Sequence, residues 1–190
     1  MQRERVYVAG LSAGGAAAAV LGAAYPDIFS AIGIHSGLAC GAAHDLSSAM
    51  TAMRTGGSPA PISSTHGSAR PVRTIVFHGD RDNTVNPINS ELVIAQFQGG
   101  ATPLATKIVE GRAPGGLAYT RTVHHSAQGS PLFEKWVIHG AGHAWSGGSH
   151  GSYTEPGGLR RQSGNVAVLL GRWTSLRLAR WPETASARIK

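Results

Sequence analysis

The chain has 190 residues, 42% hydrophobic and 14% charged, which suits one compact domain with a real core and excludes a disordered polyelectrolyte. No apolar run reaches the length of a membrane span, no charged-then-apolar leader is recognisable, and the single cysteine, Cys40, rules out an internal disulfide. The formal charge of +7 suggests a polyanionic partner until its position is read: residues 160–190 hold seven of the 17 Lys and Arg and one of the ten acids, leaving ten basic against nine acidic residues before them. The body is nearly neutral, and no interleaving of basic and aromatic residues accompanies the tail, so neither a nucleic-acid nor a membrane partner is expected.

In chain order, residues 5–9 read as a buried strand and 13–24 as a helix ended by Tyr25-Pro26. Residues 30–36 form a second short strand, and 44–54 a second helix. Residues 56–71, rich in Gly, Ser and Pro, are a loop. Residues 72–78 are the strongest strand, continuous and β-branched. Asn86 is placed to cap the next helix, with Pro87 in its first turn. The runs 119–125 and 132–139, flanking "SAQGSP", form a hairpin or neighbouring strands. Strands alternating with helices predict an α/β domain with a mostly parallel sheet.

In such sheets function gathers on the loops leaving the carboxyl ends of strands. Three of these loops carry candidates. Gly10-Leu11-Ser12-Ala13-Gly14 fits G-x-S-x-G between a strand and a helix, the nucleophile elbow, against the plainer reading of a Gly/Ala-rich turn. The second loop, "HGDRDNTVNP", offers Asp80 or Asp82 as a carboxylate to orient a histidine. The arrangement HG-x-x-D favours Asp82 and makes Asp80 a turn residue, although side-chain direction is not legible in such a turn. The third loop, "HGAGHAWSGG", offers His143, whose imidazole can take a serine proton and later return it. The order Ser, Asp, His is that of the α/β-hydrolase triad. His139 and His143 are four apart, but "HGAGH" is not helical, so no metal site is expected.

These loops, with "GIHSGLACGAA" and "GSYTEPGG", resemble the poly(hydroxybutyrate) depolymerase family of serine esterases from about Val6 to Gly158, most specifically in "GHAWSGG" joined to "GSYTEP". The resemblance implies an α/β-hydrolase fold and hydrolysis of polyhydroxyalkanoate-type or related esters, aryl esters included. It also implies a Ser12–Asp82–His143 triad, no cofactor or metal, and work outside the cell. The Ala13 N–H at the helix start is then the oxyanion donor. Trp145 either lines the acyl pocket or packs over the sheet edge. A serine peptidase on the same fold is the nearest alternative.

Two departures from the family pattern shape the expected domain layout. About five residues precede the elbow strand, so the first strands, and the loop giving a second oxyanion N–H, are expected to be missing from a partial catalytic domain over 1–159. That would impair catalysis and expose the edge of the elbow strand. Residues 160–190 are an atypical basic tail. One permissible coding of residues 160–169, read one base on, gives Asp-Ala-Ser-Arg-Glu-Met-Trp-Arg-Phe-Phe, which resembles the family's closing helix. A frame-shifted tail accounts for the arginines without a polyanionic partner.

Overall fold

Residues 31–35, Ala-Ile-Gly-Ile-His, are buried without a break, the signature of a parallel strand covered on both faces. They lie near the middle of a six-stranded sheet. The computed structural model describes residues 6–62, 71–99, 105–113, 116–147 and 154–155. Its elements run β1 (Tyr7–Leu11), α1 (Ala13–Ala24), β2 (Ala31–His35), α2 (Leu46–Thr55), β3 (Arg73–Gly79), α3 (Ile88–Gln98), β4 (Ala105–Arg112), β5 (Ala118–His125), β6 (Pro131–Ile138), β7 (Trp145–Ser146) and β8 (Thr154–Glu155). The sheet order is β1-β2-β3-β6-β5-β4, with β1, β2, β3 and β6 parallel and β5 and β4 antiparallel additions.

Helix α1 lies close on β1 and β2 because its inward positions are small: Gly15, Ala18, Ala19 and Gly22 are buried. With Ile32, Ile34, Val76, Val93, Phe97 and Phe133 they form the core between the helices and the sheet. Ile75, Phe77, Trp136 and Ile138 point to the opposite face, as the period of two along a strand requires. Strand β1, at the edge among the described residues, has no buried residue, whereas β2 beside it is buried throughout.

The boundaries sit within two residues of the sequence expectations, and the hairpin 119–125/132–139 is the antiparallel pair β5–β6. At α2 the Asp45 carboxylate accepts from the Ser48 N–H at 2.7 Å, and the Ser48 hydroxyl takes the Asp45 N–H in return. Asn86 acts one position earlier than a standard cap: its Oδ1 accepts from the Ile88 N–H at 3.0 Å, and Pro87 stands just before the helix. Strand β4 was not expected from the sequence. The tail 160–190 lies outside the described residues, as do 63–70 of the predicted loop.

The topology makes one edge of the sheet a meeting place. The four parallel strands deliver Ser12, Ser36, the segment after Gly79 and the segment after Ile138 to the same side.

Candidate functional site

Ser12 sits between β1 and α1 at φ 57°, ψ −119°, a left-handed conformation that costs a non-glycine residue on the order of 1–3 kcal/mol. The turn is possible because Gly10 has no side chain: a Cβ there would come within 2.2 Å of the Gly14 backbone. The Ser12 N–H donates to the His35 carbonyl (2.9 Å), pinning the turn to β2. Its hydroxyl makes no capping bond to the helix. Ala13 opens α1, so its N–H belongs to the first turn, whose donors have no acceptor within the helix.

Asp82 and His143 meet from loops 61 residues apart: His143 Nδ1–H donates to Asp82 Oδ2 at 2.8 Å. The loops can approach because Gly79 ends β3; a Cβ there would strike the Ala141 carbonyl at 2.3 Å. The Arg81 N–H donates to that same carbonyl (3.0 Å). Asp82 is 5% exposed and well supplied with donors. Its Oδ1 accepts from the N–H groups of Thr84 (2.9 Å) and Val85 (2.8 Å), and His78 Nε2 lies 3.4 Å from Oδ2. Burial alone would raise the carboxyl's pKa. His78, whose Nε2–H donates to the Val85 carbonyl at 2.8 Å, together with the Val85 N–H, His143 and Ser36, outweighs it and holds the group far below the usual carboxylate range. It is a buried acceptor, ionised at neutral pH. With Nδ1–H committed to it, His143 has Nε2 free to accept a proton.

Asp80 takes the other histidine. Its Oδ2 accepts from His139 Nδ1–H (2.9 Å) and its Oδ1 from the Gly140 N–H (2.6 Å), while His139 Nε2 meets the Thr120 hydroxyl at 2.8 Å. Here too burial would raise the pKa, and the Gly140 and His139 bonds bring it below the ordinary value. This pair is open to water, with side-chain exposures of 43% and 38%.

A cleft of about 330 Å³ lies over the elbow, lined by Ser12, Ala13, Ser36, Leu38, Met53 and Val85 among others. A more polar groove of about 520 Å³ shares Gly41 and Ala42 with it and carries the hydroxyl-bearing residues Ser47, Ser48, Thr51 and Ser58. Trp145 stacks on His35, ring centroids 5.5 Å apart, and the residues lining the cleft beside Ser12 come from other segments. Among the described residues, Ser12 makes no hydrogen bond to His143 or Asp82. Sequence reasoning assigned no role to His35, Ser36 or His78, although "GIHSG" and "FHGD" carry them directly after or within strands. The available signal was position at a strand's carboxyl end.

Residues 1–105 match the family described as Esterase PHB depolymerase. The chain is 30% identical over 179 residues to poly(3-hydroxyalkanoate) depolymerase C of Paucimonas lemoignei, covering 87% of this chain and 40% of that protein. Among solved structures it superposes on an acetyl xylan esterase from Aspergillus awamori, with TM-score 0.56, 21% identity, and coverage of 75% of this chain and 55% of the other. It also superposes on a PHB depolymerase variant complexed with R3HB trimer, with TM-score 0.52, 19% identity, and coverage of 93% and 53%. The chain thus spans about two fifths to just over half the length of these relatives. The architecture is the α/β-hydrolase fold.

Proposed function

The chain belongs to the Esterase PHB depolymerase family, and on that premise we propose that it hydrolyses carboxylic esters through a covalent acyl intermediate on Ser12. Ser12 Oγ attacks the ester carbonyl while His143 Nε2 takes its proton. Asp82 holds the imidazole in the Nδ1–H tautomer and stabilises the imidazolium that forms. The Ala13 N–H, at the positive end of α1, supports the oxyanion. His143 returns the proton to the leaving alcohol. It then draws a proton from water, whose oxygen attacks the acyl group, and passes that proton to Ser12 Oγ as the acyl–oxygen bond breaks and the acid leaves.

The observation that carries this reading is the 2.8 Å contact of His143 with the buried Asp82, on the same end of the parallel strands as a serine at a strained strand-to-helix turn. The absence of a Ser12–His143 hydrogen bond is compatible with it, since such contacts often tighten only when substrate binds. The contiguous clefts suit a chain-like ester of the polyhydroxyalkanoate type, with the acyl part against Leu38, Met53 and Val85 and the remainder along the polar groove. Related aryl esters fit the same chemistry. Family resemblance further implies an enzyme that works outside the cell.

A serine-directed phosphonate tests the reading. It should label Ser12, and Ser12→Ala should abolish both labelling and hydrolysis of a short activated ester. Labelling at another residue, with hydrolysis surviving in Ser12→Ala, would overturn it.

A further inference from the structure

His35 ends β2 and Ser36 follows it, lining the cleft with Ser12, and both are buried. His35 Nε2 lies 3.0 Å from the Ser146 backbone N–H, which can only donate, so Nε2 is the accepting nitrogen. The proton therefore sits on Nδ1, 3.2 Å from Ser36 Oγ, and donates to that oxygen. The Ser36 hydroxyl keeps a hydrogen of its own, and Ser36 is among the groups that favour the ionised Asp82 carboxylate. Burial, with the neighbouring His78, holds the His35 pKa down at about 3, so the ring is neutral and this direction of donation is kept.

These groups form one connected set. It runs from His143 to Asp82, on to Ser36 and His35, and back through the Ser146 N–H, three residues beyond His143 on the same segment. The segment carrying His143 is thus held by the last residue of the buried strand β2, and the residue after it bears on Asp82. Ser36 stands at φ 47°, a left-handed strain borne by a serine where glycine would have none. Stacking alone does not account for His35: its ring lies between Phe77 (5.9 Å) and Trp145 (5.5 Å), a slot any aromatic ring could fill, yet both of its nitrogens are bonded.

We infer that His35 and Ser36 are positioning residues for the proposed hydrolysis, holding the His143 imidazole and the Asp82 carboxylate in register through the Ser146 N–H and the Ser36 hydroxyl. The inference rests on the roles proposed above for Ser12, Asp82 and His143. It adds that the fit between the two loops is set from β2.

The test pairs two readouts on the full chain: kcat and KM for a short activated ester, and the low-field proton resonance of His143 Nδ1–H in the free protein. His35→Phe keeps the aromatic stack and loses both hydrogen bonds. It should lower kcat by about 10- to 100-fold with little change in KM, the scale of a misplacement near 1 Å, and should broaden or remove the resonance. His35→Gln loses the stack but keeps an acceptor for the Ser146 N–H, and should retain more of both. A packing role predicts the reverse order, Phe above Gln, and that result would overturn the inference. Ser36→Gly removes the hydroxyl while relieving the backbone strain, so it should fold normally and still lose about tenfold in kcat. If His35→Phe does not fold, Ser36→Gly decides: a wild-type resonance and rate in that variant overturn the inference. If the wild-type chain hydrolyses no ester, the proposed function fails, and the resonance still reports whether His35 and Ser36 hold the pair.

Discussion

The same two loops build two Asp–His pairs of nearly equal length, Asp82–His143 at 2.8 Å and Asp80–His139 at 2.9 Å. The outer pair even has a hydroxyl in place: Thr120 completes a chain of hydroxyl, imidazole and carboxylate at 2.8 Å. Judged on contacts alone, the outer constellation resembles a catalytic triad more closely than the inner one. Three physical differences reverse that order. Asp82 is buried among several donors, whereas Asp80 and His139 face water, where an ion pair is screened and contributes little. Ser12 stands at a strained turn against the start of a helix, while Thr120 lies within the extended strand β5, where no helix start supplies N–H groups for an oxyanion. The cleft also opens over Ser12. A hydrogen-bonded trio identifies a site only when electrostatic support and room for substrate accompany it. The outer pair does something else: through the Gly140 N–H it fastens the loop that carries His143 to the loop that carries Asp82.

The largest expected effect separates the two acids. Asp82→Asn should lower kcat by about 10⁴-fold, because the amide N–H₂ facing His143 Nδ1 favours the tautomer with its proton on Nε2, where it cannot accept from Ser12. Asp80→Asn, measured in the same assay, should stay within a few-fold of wild type and cost no more than about 1 kcal/mol in denaturant unfolding. Comparable losses from the two variants would erase the distinction.

Acid should separate the buried groups from the outer pair next. Asp82 has a folded pKa below its ordinary value of 3.8, so its contribution is present above that value and fades as pH falls beneath it. His35 also has a depressed pKa, about 3 against an ordinary 6.5. Being a base, it is neutral when folded while the unfolded chain takes up a proton, so stability drops as pH falls from about 6.5 toward 3. Unfolding measured between pH 7 and pH 4 should show this slope in wild type and a shallower one in His35→Gln. An unchanged slope would mean that His35 is not the neutral, buried base described above.

The smallest expected effect is the sharpest check on the decoy. Thr120→Ala should leave ester hydrolysis within about twofold, since it removes only a part-exposed hydroxyl from the latch. Mass spectrometry of the phosphonate-treated protein should find no adduct on Thr120. An adduct there would show that the outer constellation is reactive and that burial is the wrong criterion.

Much of this was legible in the chain itself. The apolar run 73–79, the Gly/Ala-rich segment after Ser12 and the proline at 26 are local signals, and local signals specify parallel strands and a close-lying helix. The glycines around Ser12 and the order Ser, Asp, His follow from which residues tolerate a sharp turn and which can move a proton. Strand β4 was hidden because "ATKIVEGR" lies at the sheet edge with most residues exposed, so burial imposes no apolar alternation on it. The partner of His143 was expected to be Asp82, whereas the pairing of His139 with Asp80 and of His35 with Ser146 was hidden for a different reason. Asp80 and Asp82 stand two apart in one turn, and His139 and His143 four apart in another segment; the HG-x-x-D spacing favours Asp82 as the catalytic carboxylate but does not say which side chain faces which. Only the packing of β2, β3 and β6 side by side brought His143 onto Asp82 and His139 onto Asp80, and placed His35 behind them. Those contacts join residues tens to more than a hundred positions apart in the chain, and their directions are set by register across the sheet, a property of the assembled strands and not of any one of them.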